Sequence, residues 1–239
     1  MMKIDTDAFI TGEPIQTAIS ECRFFTVREY RKVSQDLSTM SLTKDHIINL
    51  LSREKKTSQM IKFIEYISNL SLYDITREMP DIKEAYDRIF ALAFSDGGYK
   101  KINAGTFPKI RELILLMNCM KEEQINPNPE IQAAIERSKR VKARDNGEEL
   151  KFSDLVSSVA MMGGFTYQQI NEFTIYQLYM SFRRIANFKN YDTSTLFATV
   201  PGSKAKIESW SKHINLFEEE KHYVTQDEFS RNTGSMFND

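Results

Sequence analysis

Residues that interrupt helices are scarce in this chain: nine glycines and six prolines are spread over 239 residues. Because glycine and proline are the strongest local breakers of regular structure, long segments of one type are expected between them. Hydrophobic residues make up 41% of the chain, which is enough for a real core. A chain of this length forms one large domain or two small ones. The scarcity of breakers favours long helices over many short strands.

Helical signals follow along most of the chain. Apolar residues recur every three or four positions from residue 26 onward. Capping boxes, in which a threonine and a Glu or Gln three positions later satisfy the free N–H groups of a helix start, begin at Thr26, Thr166 and Thr174. Three further helices are predicted. One begins at Asp81, one has Ser153 as its N-cap, and one begins at Ser203. We therefore predict a mainly α protein, arranged as a multi-helix bundle or as two helical subdomains.

The first 25 residues differ from the rest. The TGEP sequence at 11–14 is a turn signal between two stretches that read as extended, 8–10 and 15–25, so we predict a short extended arm or hairpin. The predicted division is an N-terminal arm (1–25), a helical domain (26–124), a basic connector helix (125–150), a second helical domain (151–217) and a polar tail (218–239).

Charge and cysteine content argue against several functional classes. The net charge of −1 provides no general attraction to nucleic acid or anionic membrane. Cys22 and Cys119 form no CxxC motif, so we expect unreactive thiols rather than a zinc ribbon or a redox centre. The first residues lack the apolar core of a signal peptide, and the best apolar run, 110–120, is too short to span a bilayer. We therefore expect a cytoplasmic protein without a membrane segment.

Residues that could carry catalysis do not converge in the sequence. His46, His213 and His222 lack an HExxH-type partner, and surface or capping roles are the commoner explanation. The SDGG sequence at 95–98 lacks the spacing of a phosphate-binding loop. The basic stretch 137–144 has no aromatic residue for base stacking, so a solvated helix is favoured over a nucleic-acid contact. We predict a protein that is not an enzyme and that uses no cofactor or metal.

Aromatic and methionine side chains concentrate between residues 161 and 188. Such side chains are frequent in protein interfaces, and methionine adapts to varied apolar partners. An aromatic core is the alternative explanation, because a small helical domain must bury most of its aromatic residues. The predicted partner-binding residues are Met161, Met162, Tyr167, Tyr176, Tyr179, Met180, Phe182, Arg183, Phe188 and Trp210.

The same region resembles a known family. MMGGFTYQQI at 161–170 is followed by FTIYQLY at 173–179, RRI at 183–185, TLF at 195–197 and IESW at 207–210. This succession resembles the C-terminal part of tail assembly chaperones of bacteriophages that infect Gram-positive bacteria. GEPI at 12–15 and CRFFTVREY at 22–30 are also similar to the opening of some such phage proteins.

The resemblance implies a helical protein without catalytic residues that works in the host cell cytoplasm. A chaperone of this kind coats the tape-measure protein, which is long, helical and apolar on one face, until tail tube subunits displace it. Recognition would place a client helix in an apolar groove, with modest affinity per site and avidity from many copies. The implied partners are the tape-measure protein and the tail tube protein, and self-association stays open.

Two other hypotheses stay open as well. A permanent virion component, such as a baseplate, tail or connector protein, would use the N-terminal arm and the C-terminal tail as docking segments. Its presence in purified particles would separate it from a chaperone. A small enzyme or a nucleic-acid-binding protein would require a bound metal or nucleotide, or salt-dependent binding to nucleic acid.

Overall fold

The computed structural model describes residues 6–53, 57–122, 150–202 and 206–217, together with positions 132 and 137. Over these residues the chain is mainly helical and has one two-stranded sheet near the N-terminus, which confirms the predicted fold class. Apart from positions 132, 137 and 150, the predicted connector lies outside the described residues, as does the predicted tail. The elements in chain order are α1 (Thr6–Thr11), β1 (Ile15–Gln16), β2 (Glu21–Cys22), α2 (Val27–Ser41), α3 (Lys44–Arg53), α4 (Ser58–Asn69), α5 (Leu72–Glu78), α6 (Pro80–Ala93), a 3-10 turn (Gly98–Lys101), α7 (Phe107–Met117), α8 (Phe152–Gly163), α9 (Tyr167–Glu172) and α10 (Ile175–Ala198).

The N-terminal segment contains a short helix as well as the predicted hairpin. Positions 8–10, which were expected to be extended, belong to α1, and the Gly12 N–H closes this helix by donating to the Ala8 carbonyl at 3.0 Å. The TGEP sequence therefore ends a helix instead of joining two strands. The hairpin follows it, with Ile15 paired to Cys22 in an antiparallel register.

α1 is fixed against α10, the longest of the helices described. The Phe9 side chain is 1% exposed and lies edge-on to the rings of Phe24 and Tyr176, with ring centroids 5.1 Å apart in both pairs. The Gln177 side-chain amide donates to the Ile10 carbonyl at 2.9 Å. Aromatic pairs at such distances add to the stability gained from burial. The first helix is therefore part of the core.

The larger hydrophobic cluster is built mainly from α2, α5, α6 and α7. Leu37 of α2, Ile89 of α6 and Ile114 of α7 are almost completely buried in it. At its edge, the Arg88 guanidinium of α6 donates to both carboxylate oxygens of Asp36 on α2, at 2.7 and 2.8 Å. This ion pair joins the two helices that pack most extensively against each other.

A buried arginine connects three of these helices. Arg111 of α7 is 3% exposed, and its Nε donates to the Met40 carbonyl at 2.9 Å and to the Tyr86 hydroxyl at 2.8 Å. A second guanidinium nitrogen donates to the Leu42 carbonyl at 3.0 Å, and a third forms an ion pair with Glu122. Carbonyls at the C-terminal end of a helix lack intrahelical partners. Arg111 supplies partners to those at the end of α2.

α3 and α4 form a helical hairpin that packs mainly against itself. Ile47 and Ile67 are buried, and they connect the hairpin to the larger cluster. Much of its remaining apolar surface is exposed. The exposed large apolar side chains of these two helices are Leu50, Ile61, Phe63 and Tyr66.

The SDGG sequence at 95–98 has a structural role. The Asp96 carboxylate accepts a hydrogen bond from the Gly98 N–H at 2.9 Å and another from the Ser20 hydroxyl. Hydrogen bonding to the Ser20 hydroxyl and to the Gly98 N–H lowers the pKa of Asp96. The turn therefore attaches the N-terminal hairpin to the end of α6.

Helices α8, α9 and α10 pack on α2 through a second hydrophobic cluster. The Val27 N–H donates to the Phe173 carbonyl at 2.8 Å, and the Ile175 N–H donates to the Phe25 carbonyl at 3.4 Å. α2 thus contributes to both clusters and holds α8 and α10 against the rest of the chain. The buried members of the second cluster are Val27, Leu155, Val159, Ala160, Ile170, Ile175 and Leu178.

The predicted helix starts agree with the structure at the three capping boxes and differ slightly at two other places. α6 begins at Pro80, one residue earlier than predicted. The prediction of Ser153 as a cap is wrong, because α8 begins at Phe152. There the Asp154 carboxylate accepts a hydrogen bond from the Lys151 N–H at 3.0 Å, which satisfies a donor that precedes the helix.

The helix predicted from Ser203 to Phe217 is wrong for the described part, residues 206–217, which form turns and irregular backbone. Two carbonyls of this segment, those of Trp210 and Lys212, accept hydrogen bonds from the Arg184 guanidinium at 2.8 and 2.9 Å. The segment therefore runs alongside α10, with tertiary contacts in place of helical hydrogen bonds.

Candidate partner-binding surface

The chain turns sharply between α8 and α9. Gly164 has a left-handed backbone with φ of 70°, and its N–H donates to the Ala160 carbonyl. The Phe165 N–H donates to the same carbonyl at 3.1 Å. Glycine is favoured at such a helix end because it lacks a Cβ atom. The turn brings the Phe165 ring edge-on to Phe173, with centroids 5.1 Å apart.

Two capping boxes fix the directions of the helices that follow. Thr166 begins α9 and Thr174 begins α10. In each box the threonine hydroxyl accepts from the N–H of a glutamine, and the glutamine side-chain oxygen accepts from the threonine N–H. The four distances lie between 2.8 and 3.2 Å. These bonds are local, so they stabilise the turn without help from a partner.

This turn leaves large apolar side chains in solvent. Met161 is 86% exposed and Tyr167 is 61% exposed, while Met162 and Phe165 are exposed to a smaller extent. These four residues, called the turn surface below, lie within seven consecutive positions that carry no charge. Exposed apolar groups of this size mark interaction sites when they occur together. Three of the four, Met161, Met162 and Tyr167, belong to the predicted set.

Tyr176, another predicted residue, lies in the core. It is 1% exposed and its ring stacks on Phe217, with centroids 6.2 Å apart, in addition to its contact with Phe9. Burial raises the pKa of its hydroxyl. Tyr176 therefore presents almost no surface to a partner.

Three predicted residues in the first half of α10 are partly buried. Tyr179 and Phe182 pack against the second cluster, and Met180 packs against the larger one. Burial raises the pKa of Tyr179, and the neighbouring Tyr30 acts in the same direction. These side chains are mainly structural and present part of their surface to solvent.

The remaining predicted residues lie farther along α10 and on the segment beside it. Arg183 is exposed. Phe188 and Trp210 form an edge-on pair with centroids 5.8 Å apart, and each remains more than 40% exposed. This pair connects the segment 206–217 to α10.

A groove of about 550 Å³ opens between α1, α8, α10 and the segment 206–217. Its volume is within the range of roughly 300–1,000 Å³ that is usual for binding pockets. Of the predicted residues, Tyr176 and Met180 line it. Its apolar wall includes Ile10, Phe165, Met180, Ile185 and Ile214, and its polar lining includes Asp7, Arg184 and His213.

The end of α10 extends beyond the packed part of the protein. Its buried residues, Ile175, Tyr176 and Leu178, all belong to the first turns. Three apolar side chains near the other end are widely exposed. They are called the helix end below: Leu196 (70% exposed), Phe197 (59%) and Val200 (54%).

Several residues of these surfaces were missing from the predicted set. The apolar pair Leu196 and Phe197 stands out from the polar residues before it, and this signal could have identified the helix end. Phe165 lies between predicted residues and was omitted. Ile10 had no such signal, because its place in the groove arises from the packing of α1 on α10.

Metal or redox chemistry would depend on grouped metal-binding side chains or on reactive thiols. Among the residues described, no three His, Cys, Asp or Glu side chains are grouped so as to hold a metal ion. Cys22 is buried and Cys119 is partly buried, and burial raises the pKa of each thiol to about 12. None of the helices described is both long and apolar enough to cross a membrane.

Comparison with known proteins gives two family matches and one full-length relative. The model of the YomV N-terminal domain matches residues 4–127, and that of the YomV second domain matches residues 142–215. The SPbeta prophage-derived uncharacterized protein YomV of Bacillus subtilis (strain 168) is 38% identical over 221 residues, which is 92% of either chain. No solved structure matches the chain. Since the two domains match most of the chain and the relative covers nearly all of it, this chain belongs to the YomV family, a family of prophage-derived proteins.

Proposed function

We propose that this protein is a phage tail assembly chaperone that binds the tape-measure protein in the host cell cytoplasm. The prophage origin of its relative supports a role in the phage life cycle. The resemblance of residues 161–210 to tail assembly chaperones supports the specific role. The proposal gives the tail tube protein the role of displacing the chaperone, and it assigns no catalytic step, cofactor or metal to the chain.

The observation that carries the proposal is the exposure of the turn surface. Burying a large apolar side chain contributes about 1.5–3 kcal/mol, so leaving Met161 and Tyr167 in water forgoes a substantial stabilisation. The capping boxes at Thr166 and Thr174 fix the backbone at the starts of α9 and α10. A backbone that is already ordered loses little conformational entropy when a partner binds.

The chemistry of the turn surface suits a helical client with an apolar face. Positions 161–167 carry no charge, so an apolar helix can approach without burying an unpaired ion. Two methionines and a tyrosine accommodate side chains of different shape, which is useful along a client of varied sequence. Modest affinity at each site, multiplied by many copies on one client, would give stable but reversible coating.

A co-purification experiment tests this proposal. The tagged protein is produced together with the tape-measure protein of the same phage, and the bound fraction is measured by quantitative mass spectrometry. We expect wild type to retain the tape-measure protein. The variant M161D/Y167D should retain at least about tenfold less of it, because two charges would be buried in an apolar contact. The control I61D/Y66D adds the same charge to exposed positions of α4 and is expected to bind like wild type.

The outcomes separate the proposal from its alternatives. Thermal unfolding of both variants must resemble that of wild type, so that lost binding reports the surface and not the fold. Mass spectrometry of purified particles should find none of this chain. Its presence there in fixed stoichiometry would instead make it a virion component, and failure of wild type to retain the tape-measure protein would refute the chaperone role.

A further inference from the structure

The helix end combines two apolar side chains of α10, Leu196 and Phe197, with that of Val200, two residues past the end of the helix. Val200 follows Leu196 by four positions and Phe197 by three, a spacing that places them next to each other on a helix. The Val200 N–H donates to the Phe197 carbonyl at 3.1 Å, which continues the helical turn past Ala198. A helix that presents adjacent apolar side chains at its tip is suited to insertion into an apolar groove.

The groove offers matching chemistry. Its apolar wall is assembled from three separate segments, represented by Ile10, Ile185 and Ile214. Ile10 is 42% exposed, so this wall is accessible from solvent. Arg184 adds a positive charge beside it. The two acceptors of Arg184 in the segment 206–217 are neutral carbonyls, and the carboxylate of Asp7 lines the same groove.

The helix end of a chain cannot reach the groove of the same chain. α10 lines the groove through Met180 and Arg184, and then continues as an unbroken helix to Ala198. Leu196 is twelve positions beyond Arg184, which corresponds to roughly 18 Å along a helix that rises 1.5 Å per residue. A continuous helix points its tip away from the residues at its start, so any occupant of this kind belongs to another molecule.

We infer that the helix end of one copy inserts into the groove of a second copy, so that this protein assembles head to tail. Leu196, Phe197 and Val200 would cover the apolar wall. Asp192, exposed one turn before Leu196, would bring a carboxylate towards Arg184 of the second copy. This contact is a binding site distinct from the turn surface, and it does not depend on the proposed client.

The contact joins two different surfaces, which determines the form of the assembly. Each copy would offer one helix end and one groove, so a pair would still have a free helix end and a free groove. Contacts of this type close into a ring or continue as an open chain. We therefore expect a mass that rises past that of a dimer as concentration increases. Bound along a client, such a row would also place successive turn surfaces side by side.

Sedimentation velocity of the full chain over a range of concentrations tests the inference. The variant L196D/F197D loses the helix end, and the variant I10D loses the groove wall. All three positions are exposed, so both variants are expected to fold. Each should remain monomeric, with association weakened at least about tenfold relative to wild type. The control I61D/Y66D should associate like wild type.

A mixing experiment separates head-to-tail contact from a symmetric dimer. L196D/F197D keeps an intact groove, and I10D keeps an intact helix end, so an equal mixture contains one functional pair of surfaces. We expect the mixture to form a dimer and to stop there. A monomeric wild type, a mixture that remains monomeric although both variants unfold like wild type, or association by either variant alone would each overturn the inference. If the control I61D/Y66D associates more weakly than wild type, that result would overturn the inference as well.

Discussion

Thr26 and Thr174 lie opposite each other in an antiparallel β-bridge, and each is the N-cap of a long helix. The Thr26 hydroxyl accepts from the Glu29 N–H at 3.3 Å, and the Thr174 hydroxyl accepts from the Gln177 N–H at 3.1 Å. The starts of α2 and α10 are therefore joined directly. This junction links the N-terminal and C-terminal helices at a fixed point.

The junction predicts coupling between two capping residues that are far apart in the chain. Thr26→Ala and Thr174→Ala should each lower the free energy of unfolding by about 1 kcal/mol, the usual cost of losing a threonine cap. The double variant should lose less free energy of unfolding than the two single variants added together, by at least about 0.5 kcal/mol. The reason is that the first substitution already loosens the bridge that both residues share. Urea unfolding of the two single variants and the double variant measures this difference.

Thr166 provides the matched control, since it caps α9 with the same kind of box and takes no part in the bridge. Thr166→Ala combined with Thr26→Ala should be additive within about 0.5 kcal/mol. Equal coupling in both double variants would show that the bridge does not join the two helix starts energetically.

The buried Arg111 predicts a large loss of stability on substitution. Arg111→Met removes the ion pair with Glu122 and three hydrogen bonds, to Met40, Leu42 and Tyr86, made by a guanidinium that is itself buried. Removing one partner of a buried charged network costs about 3–5 kcal/mol. Arg28→Met is the control, because the pair of Arg28 with Glu172 is exposed and should contribute at most about 1 kcal/mol. Equal losses in urea unfolding would contradict this role of Arg111.

Local chemistry explains which elements could be predicted from the sequence. A capping box needs two residues three positions apart. The helix starts at Thr26, Thr166 and Thr174 are therefore determined by short stretches of sequence. The turn surface has the same origin, because Gly164 and the box that begins at Thr166 fix it locally. Pairing of Thr26 with Thr174 has no such local signature.

Tertiary contacts explain the helix that does not form at residues 206–217. Ile207, Trp210, Ile214 and Phe217 recur at helical spacing, yet Phe217 reaches the core from irregular backbone. Lys121 donates to the Phe217 carbonyl at 2.5 Å, and Arg184 binds two other carbonyls of the segment. Donors that are distant in the chain compete with helical hydrogen bonds for these carbonyls. The spacing of apolar residues does not indicate their presence.

The groove could not be predicted for a related reason. Its wall brings together Ile10 from α1, Ile185 from α10 and Ile214 from the irregular segment. Each is an ordinary apolar residue in its own stretch of sequence. Their proximity depends on how α1 packs against α10, and periodicity within a segment carries no information on that distance.

The buried thiol of Cys22 predicts a loss of stability at alkaline pH. Burial raises its pKa from 9.0 to about 12, so the unfolded chain releases this proton at a lower pH than the folded protein. The free energy of unfolding should therefore fall as pH rises from about 9 to about 12, by up to about 1.4 kcal/mol per pH unit. Cys22→Ala should show a shallower decline between pH 9 and 10 in urea unfolding. An unchanged slope in this variant would contradict the prediction.

The left-handed backbone of Gly164 predicts an order of stability among substitutions at the turn. Gly164→Ala should lower the free energy of unfolding by about 1–2 kcal/mol, because a Cβ atom disfavours this conformation, and Gly164→Asn should lower it less. Gly97 is the matched control, since its φ is 78° and a Cβ atom at either glycine would meet no neighbour within 4 Å. The same order at both positions would identify the backbone as the cause. A Gly164→Ala variant as stable as wild type would show that the turn, and with it the placement of Met161 and Tyr167, does not require the left-handed conformation.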